Sequence, residues 1–141
     1  MTTGLCELAL EVSDLAEAEA FYAGVLELPV VERWLGEAIW VMAGERTRIG
    51  LWLPQIGYGG GRGGVHVHYA LHVTEPDLDR RVERLRSAGR EVYVHDHAGY
   101  GNGRGRSAYV TDPDGHCLEL WTWDVATHLA EHAAGTSPGS H

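Results

Sequence analysis

The sequence predicts an α+β protein built from two copies of one module, each made of a strand, a helix and three further strands. Apolar residues alternate with period two, then recur at helical spacing, then alternate in three short runs, and this order occurs twice in the 141 residues. A shift of 61 positions places Ala9 on Ala70 and Leu10 on Leu71. A glycine-rich segment, GYGGGRGG at 57–64, separates the copies and is typical of a flexible linker. We expect two mixed sheets that curl around one shared site.

The first module occupies residues 1–56. It begins with LCELALEV at 5–12, which alternates as a half-buried strand does. Asp14 and Glu17 have the spacing of a capping box, so a helix is expected to begin there and to end before Pro29. Short alternating runs bounded by glycine turns predict the remaining strands at 30–34, 38–42 and 47–53.

The second module occupies residues 65–124 and follows the same order. VHVHYALHV at 65–73 alternates as a strand, Thr74 can cap the next helix, and Gly89 ends it. Residues 125–141 are expected to form a short helix and then a disordered tail. The remaining strands are expected at 91–95, 107–111 and 117–123.

Charge and composition limit the partners. With 11 Lys and Arg against 20 Asp and Glu, the formal net charge is −9 at pH 7, which repels nucleic acid and anionic membranes. No apolar run reaches the roughly 18–20 residues of a membrane span, and the start of the chain has no signal-peptide pattern. We therefore expect a cytoplasmic protein. Cys6 and Cys117 form no CxxC pair, so neither a disulfide framework nor a thiolate zinc site is predicted.

The alternation brings three potential metal ligands onto strand faces that point away from the helices. Glu7 is on that face of the first strand, His68 on that face of the corresponding strand, and Glu119 on that face of the last strand. Two carboxylates and one imidazole suit Zn²⁺, Ni²⁺, Mn²⁺ or Fe²⁺, with positions left open for substrate or water. The alternative is that all three are solvated residues on an exposed sheet face.

Three segments resemble the vicinal oxygen chelate superfamily, which includes glyoxalase I, bleomycin and fosfomycin resistance proteins, and extradiol dioxygenases. They are DLAEAEAFYAGVLEL, HYALHV and YVTDPDGHCLELW, and the resemblance covers about residues 5–124. It implies paired βαβββ modules with metal ligands at Glu7, His68 and Glu119. It also implies a homodimer in which the first module of one chain pairs with the second module of the other.

The resemblance further implies a metal-dependent enzyme that chelates two adjacent oxygens of a small substrate. Isomerase or lyase chemistry through a metal-stabilised enolate or oxyanion is the leading expectation. A metal-free antibiotic-sequestering protein of the bleomycin-binding type is the alternative, and an extradiol-type dioxygenase is the third reading.

Departures from the family patterns narrow the choice among its members. Gly50 stands where glyoxalases have a fourth ligand, and Glu7 stands where dioxygenases have a histidine. Ala9 replaces the threonine of fosfomycin thiol transferases, and HAGYGNGRGR lacks their lysine. Fosfomycin modification is therefore not expected. His72, His95 and His97 are the candidates for the additional histidine of the dioxygenases.

Further side chains are candidates for the site. Glu119 is assigned a catalytic role as well as a ligand role, Tyr109 could donate a proton or hydrogen bond near the metal, and His72 could act as a base. Packing is the alternative for Tyr109, and a surface position is the alternative for His72. The tryptophan candidates would line a cavity for a planar ligand or fill the core, and the arginines would close over an anionic substrate or be solvated. The candidates for substrate binding are Trp52, Trp121, Trp123, Arg104 and Arg106.

Overall fold

The computed structural model describes residues 5–54, 68–97 and 104–124. The chain divides into two compact units. The first unit is Met1–Val67 with Thr111–His116, and the second unit is His68–Val110 with Cys117–His141. The expected linker at 57–64 and the expected C-terminal helix and tail lie outside the described residues.

The first unit carries a four-stranded mixed sheet. The elements are β1 Glu7–Glu11, α1 Leu15–Glu19 with a π-helical continuation Ala20–Val25, β2 Val30–Trp34, β3 Ala38–Ala43 and β4 Thr47–Trp52. The strand order is β1-β4-β3-β2, with β1 parallel to β4 and the other pairs antiparallel. The helix begins as the capping pattern predicts, because the Asp14 carboxylate accepts a hydrogen bond from the backbone N–H of Glu17 at 2.9 Å.

The second unit repeats this plan. The elements are β5 His68–His72, α2 Glu75–Ser87, β6 Tyr93–Asp96, β7 Arg106–Thr111 and β8 Cys117–Trp121. The strand order is β5-β8-β7-β6, with β5 parallel to β8 and β6 antiparallel to β7. The Thr74 hydroxyl accepts from the N–H of Asp77 at 3.4 Å at the start of the helix, and Gly89 follows its end at φ +83°. The predicted α+β class and the repeated order of elements are therefore confirmed.

The core of each unit lies between its helix and one face of its sheet. Alternate strand residues and the apolar stripe of each helix are buried there, as period-two and helical spacing predict. In the first unit these residues include Val12, Ala18, Phe21, Tyr22, Leu26, Ile39, Val41, Ile49 and Leu51. In the second unit they include Val73, Leu78, Val82, Leu85, Ala108, Val110, Leu118 and Leu120.

The DPDG turn is held by hydrogen bonds inside the first unit. The buried Asp112 carboxylate accepts from the backbone N–H groups of Asp114 and His116 at 2.9 and 2.8 Å, which closes the turn. Its other oxygen accepts from the Tyr22 hydroxyl at 2.7 Å. Gly115 has φ +87°, a conformation that glycine adopts without steric cost. The most specific sequence motif is thus a structural clamp between the turn and the first helix.

No helix among the described residues is long and apolar enough to cross a membrane.

Candidate metal centre

Glu119 is a buried carboxylate in the interior of the second sheet. It lies on β8, points to the face opposite Leu118 and Leu120, and is only 3% exposed. Its Oε2 atom accepts hydrogen bonds from the Ser107 hydroxyl at 2.5 Å and the Tyr109 hydroxyl at 3.2 Å. These two donors are alternate residues of the neighbouring strand β7, so the pleat directs both to the same face. Glu119 is therefore not a solvated surface residue.

His68 faces the other oxygen of that carboxylate. It is the first residue of β5, which runs parallel to β8 with Ala70 opposite Glu119. Its Nε2 atom lies 3.3 Å from Glu119 Oε1, and its side chain is 46% exposed. One imidazole nitrogen and one carboxylate oxygen thus lie together at the start of β5. Zn²⁺, Ni²⁺, Mn²⁺ and Fe²⁺ all accept this combination of donors.

The third expected ligand belongs to the other unit. Glu7 lies on β1, and its Oε1 accepts a hydrogen bond from Arg48 Nε at 2.5 Å. Arg48 also donates to Glu32 at 2.8 Å. Within either unit, over residues 5–54, 68–97 and 104–124, no three His, Cys, Asp or Glu side chains are grouped closely enough to hold a metal ion. The second unit by itself offers two of the three proposed donors.

His97 is linked to the Glu119 carboxylate through the Ser107 hydroxyl. His97 Nε2 lies 2.8 Å from the Ser107 hydroxyl, which itself bonds Glu119. The His97 ring contacts Trp121, with centroids 5.3 Å apart, and His95, with centroids 4.7 Å apart. Ser107 was not among the site residues predicted from the sequence. The signal was its spacing of two residues from Tyr109, which puts both on one strand face.

The environment of Glu119 keeps two neighbouring groups protonated. Burial raises the pKa of Tyr109, and the nearby negative charge of Glu119 and the hydrogen bond to it raise it further. Burial, followed by the charge of Glu119, also raises the pKa of the Cys117 thiol. At neutral pH Tyr109 is therefore a hydrogen-bond donor, and Cys117 is a thiol rather than a thiolate ligand.

Trp52 belongs to an indole cluster in the first unit. It makes edge-to-face contacts with Trp34 and Trp40, with centroids 5.6 and 5.1 Å apart. A Cβ atom at Gly50 would lie 2.8 Å from the Nε1 atoms of both Trp40 and Trp52, so the two indoles occupy the space of a side chain there. Trp40 lies opposite Gly50 in the pairing of β3 with β4 and was not predicted as part of this cluster.

The remaining substrate-binding candidates lie at the end of β8 and on β7. Trp121 and Trp123 have centroids 4.9 Å apart, and Trp121 donates to the carbonyl of Arg104 at 2.7 Å. The Arg104 guanidinium lies 4.9 Å from the centroid of the Trp123 ring. Arg106 pairs with carboxylates of α2, Glu75 at 2.7 Å and Asp79 at 3.1 Å. His72 is exposed at the end of β5, on the same face as His68.

The sequence matches the model of one known protein family over most of its length. Residues 4–120 match the model of the Glyoxalase/Bleomycin resistance protein/Dioxygenase superfamily. The chain is a member of the vicinal oxygen chelate superfamily. The predicted resemblance is thereby confirmed.

Two relatives within the vicinal oxygen chelate superfamily match nearly the whole chain. The glutathione transferase FosA of Serratia marcescens is 32% identical, over 92% of this chain and 88% of its own length. The metallothiol transferase FosB of Shouchella clausii (strain KSM-K16) is 33% identical, over 98% of this chain and 92% of its own length.

A solved structure shares the fold. A variant of the fosfomycin resistance protein FosX of Listeria monocytogenes, complexed with Mn(II) and 1S,2S-dihydroxypropylphosphonic acid, superposes with a TM-score of 0.72 at 21% identity. The match covers 92% of this chain and 99% of that chain.

Proposed function

We propose that the protein is a divalent-metal-dependent enzyme that binds a small substrate through two adjacent oxygens. The observation that carries the proposal is the buried carboxylate of Glu119, with Oε2 held by Ser107 and Tyr109 and Oε1 beside His68 Nε2. A carboxylate that is buried and oriented on a rigid strand is typical of a metal ligand. Membership of the superfamily, a metallothiol transferase relative and a fold neighbour that binds Mn(II) support the proposal.

The proposed ligands are Glu7, His68 and Glu119. A divalent cation held by them, whether Zn, Ni, Mn or Fe, would supply Lewis-acid stabilisation of negative charge that develops on a substrate oxygen. Glu7 is a proposed ligand because its place at the start of β1 corresponds to that of His68 at the start of β5.

Residues around the proposed ligands would orient a ligand and transfer a proton. Tyr109, kept protonated by burial and by Glu119, donates its one hydroxyl proton to Glu119 Oε2 and would therefore hold that proposed ligand in place. His72, exposed on the same strand face as His68, is the candidate to accept a proton from the substrate. These roles fit isomerase or lyase chemistry, in which a proton leaves one atom of the substrate and is returned to another.

Thiol transfer is the second candidate function, and the names of the two relatives at 32 and 33% identity favour it. Two features of this chain oppose it for a phosphonate substrate. Ala9 replaces the expected threonine. Arg106, a candidate cation, is already paired with Glu75 and Asp79.

The first test is whether the purified protein contains a metal ion. The chain is purified without metal-affinity chromatography or chelator, and its metal content is measured by elemental analysis. We expect near-stoichiometric metal in the native chain and its loss in Glu119→Gln, His68→Ala and Glu7→Ala, because each removes a proposed ligand. Glu91→Gln, at an exposed carboxylate, is the matched control and should keep its metal. A native chain without metal even after reconstitution would overturn the proposal.

The reaction class is decided by product analysis of the metal-loaded chain. The substrates are a hemithioacetal of glutathione, fosfomycin with glutathione or cysteine, and a catechol with oxygen. A rearranged thioester would support isomerase or lyase chemistry, a thiol adduct would establish transfer, and ring cleavage with iron would establish dioxygenation. Tight binding of a bleomycin-type ligand by the metal-free chain, with no product from any substrate, would identify a sequestering protein instead.

A further inference from the structure

We infer that His97 is a positioning residue that acts on Glu119 through the Ser107 hydroxyl. This inference rests on the proposed metal site, because it concerns how one of the proposed ligands is oriented. The three groups form a continuous chain in the second unit, with His97 Nε2 2.8 Å from Ser107 Oγ and Ser107 Oγ 2.5 Å from Glu119 Oε2.

The direction of the hydrogen bonds follows from the number of protons. A serine hydroxyl carries one proton and can donate it to only one partner. In the structure the Ser107 hydroxyl donates its proton to Glu119 Oε2. Since Ser107 donates to Glu119, it must accept from His97, and the imidazole must carry a proton on Nε2. This assigns the tautomer of His97 from the hydrogen-bond network.

The position of the His97 ring is itself fixed. Its backbone N–H donates to the carbonyl of Gly105 at 2.8 Å, and its ring contacts Trp121 and His95. A fixed imidazole donor prevents the fully buried Ser107 hydroxyl from rotating toward His97. The Ser107 hydroxyl therefore keeps donating to Glu119 Oε2.

The two oxygens of the Glu119 carboxylate therefore have different partners. Oε2 is occupied by Ser107 and Tyr109, which leaves Oε1 facing His68. Loss of the His97 donor would free Ser107 to turn, and the carboxylate would lose the contact that holds it in one orientation. Removing a hydrogen-bond partner that orients a ligand typically lowers metal affinity about 10- to 100-fold.

The tautomer is tested on the metal-free native chain. Long-range ¹H–¹⁵N NMR spectra, recorded about two pH units above the usual imidazole pKa of about 6.5, identify which nitrogen carries the proton. We expect the proton of His97 on Nε2. A proton on Nδ1 alone would overturn the inference whatever the chain's activity is, and this measurement needs no variant to fold.

The effect on the site is tested by Mn(II) titration calorimetry. His97→Leu should weaken Mn(II) binding at least about tenfold, Ser107→Ala should weaken it similarly, and the double variant should lose little more, because both act through one chain of bonds. His97→Gln keeps an N–H at similar reach and should restore most of the affinity.

The outcomes separate this inference from the proposed function. If the native chain binds no Mn(II) or other divalent metal, the proposed function fails. If it binds Mn(II) and His97→Leu binds equally tightly, the inference fails and the proposed function stands. Equal losses in His97→Leu and His97→Gln, or additive losses in the double variant, would show a packing role and would also overturn the inference.

Discussion

Gly50 shows how packing determines which side chains a position can accept. The resemblance implies a fourth metal ligand at this position in glyoxalases, but here the indole nitrogens of Trp40 and Trp52 fill the space that a side chain would need. Trp40 is fully buried, and among the described residues its Nε1 is the one buried side-chain nitrogen or oxygen without a hydrogen-bond partner. A ligand at position 50 would have to displace both rings.

Gly50→Ala should therefore destabilise the protein. The added methyl group meets two ring nitrogens at 2.8 Å, and overpacking of this kind costs about 1–3 kcal/mol of the free energy of unfolding. The measurement is urea unfolding followed by tryptophan fluorescence. Gly24→Ala is the control, because nothing lies within 4 Å of its added Cβ. An equal or greater stability of Gly50→Ala would mean that the indoles do not pack as described.

At the scale of elements, the clamp between Tyr22 and Asp112 explains why the DPDG turn associates with a helix about 90 positions away in the chain. Both side chains are buried, and the carboxylate accepts one hydroxyl and two backbone N–H groups. The turn thereby joins the first helix, although it lies between two strands of the second sheet.

Tyr22→Phe should remove one hydrogen bond and leave a buried carboxylate oxygen unsatisfied. The expected loss is about 1–3 kcal/mol of the free energy of unfolding, measured by chemical denaturation. Tyr93→Phe makes the same chemical change at an exposed position and should be nearly neutral. If the two variants were equally stable, the Tyr22 hydroxyl would contribute nothing to the clamp.

The sequence predicts the bounds of a helix or strand where the residues that begin and end it lie next to it in the chain. Val30–Trp34 has the predicted bounds because a proline precedes the alternating run and a glycine turn follows it. The π-helical segment Ala20–Val25 was not predicted, since no residue type marks the change from α- to π-helical hydrogen bonding. The helix ends before Pro29 as expected, but Glu27, in a left-handed conformation at φ +60°, is where the chain turns.

Part of the candidate site could also be predicted, because strand alternation is a local pattern. His68 and Glu119 were selected because a period of two assigns strand faces without knowledge of the fold. The burial of Glu119 was not predicted, because it depends on the neighbouring strand that carries Ser107. The contact of Arg48 with Glu7 depends on the register of β1 with β4, which pairs these two residues.

At the scale of the whole molecule, the repeat makes Glu7 and His68 equivalent positions. Each begins the first strand of its module, and each of those strands is an edge strand parallel to the last strand of its sheet. The duplicated module thus carries the same candidate ligand position twice, as a carboxylate in one copy and as an imidazole in the other. The counterpart of Glu119 in the first sheet is Gly50, because Gly50 pairs with Ala9 as Glu119 pairs with Ala70.

The homodimer that the resemblance implies, with Glu7 of one chain beside His68 and Glu119 of another, predicts complementation between variants that each lack one proposed ligand. Glu7→Ala and Glu119→Ala should each bind no metal, but co-refolding them at equal amounts should restore about a quarter of the sites, because half of the dimers are mixed and each mixed dimer has one intact site. Co-refolded His68→Ala and Glu119→Ala are the control and should restore none, since both changes affect the same module. Metal titration counts the restored sites. Absence of binding in the first mixture, despite mixed dimers confirmed by native mass spectrometry, would assign all three ligands to one chain.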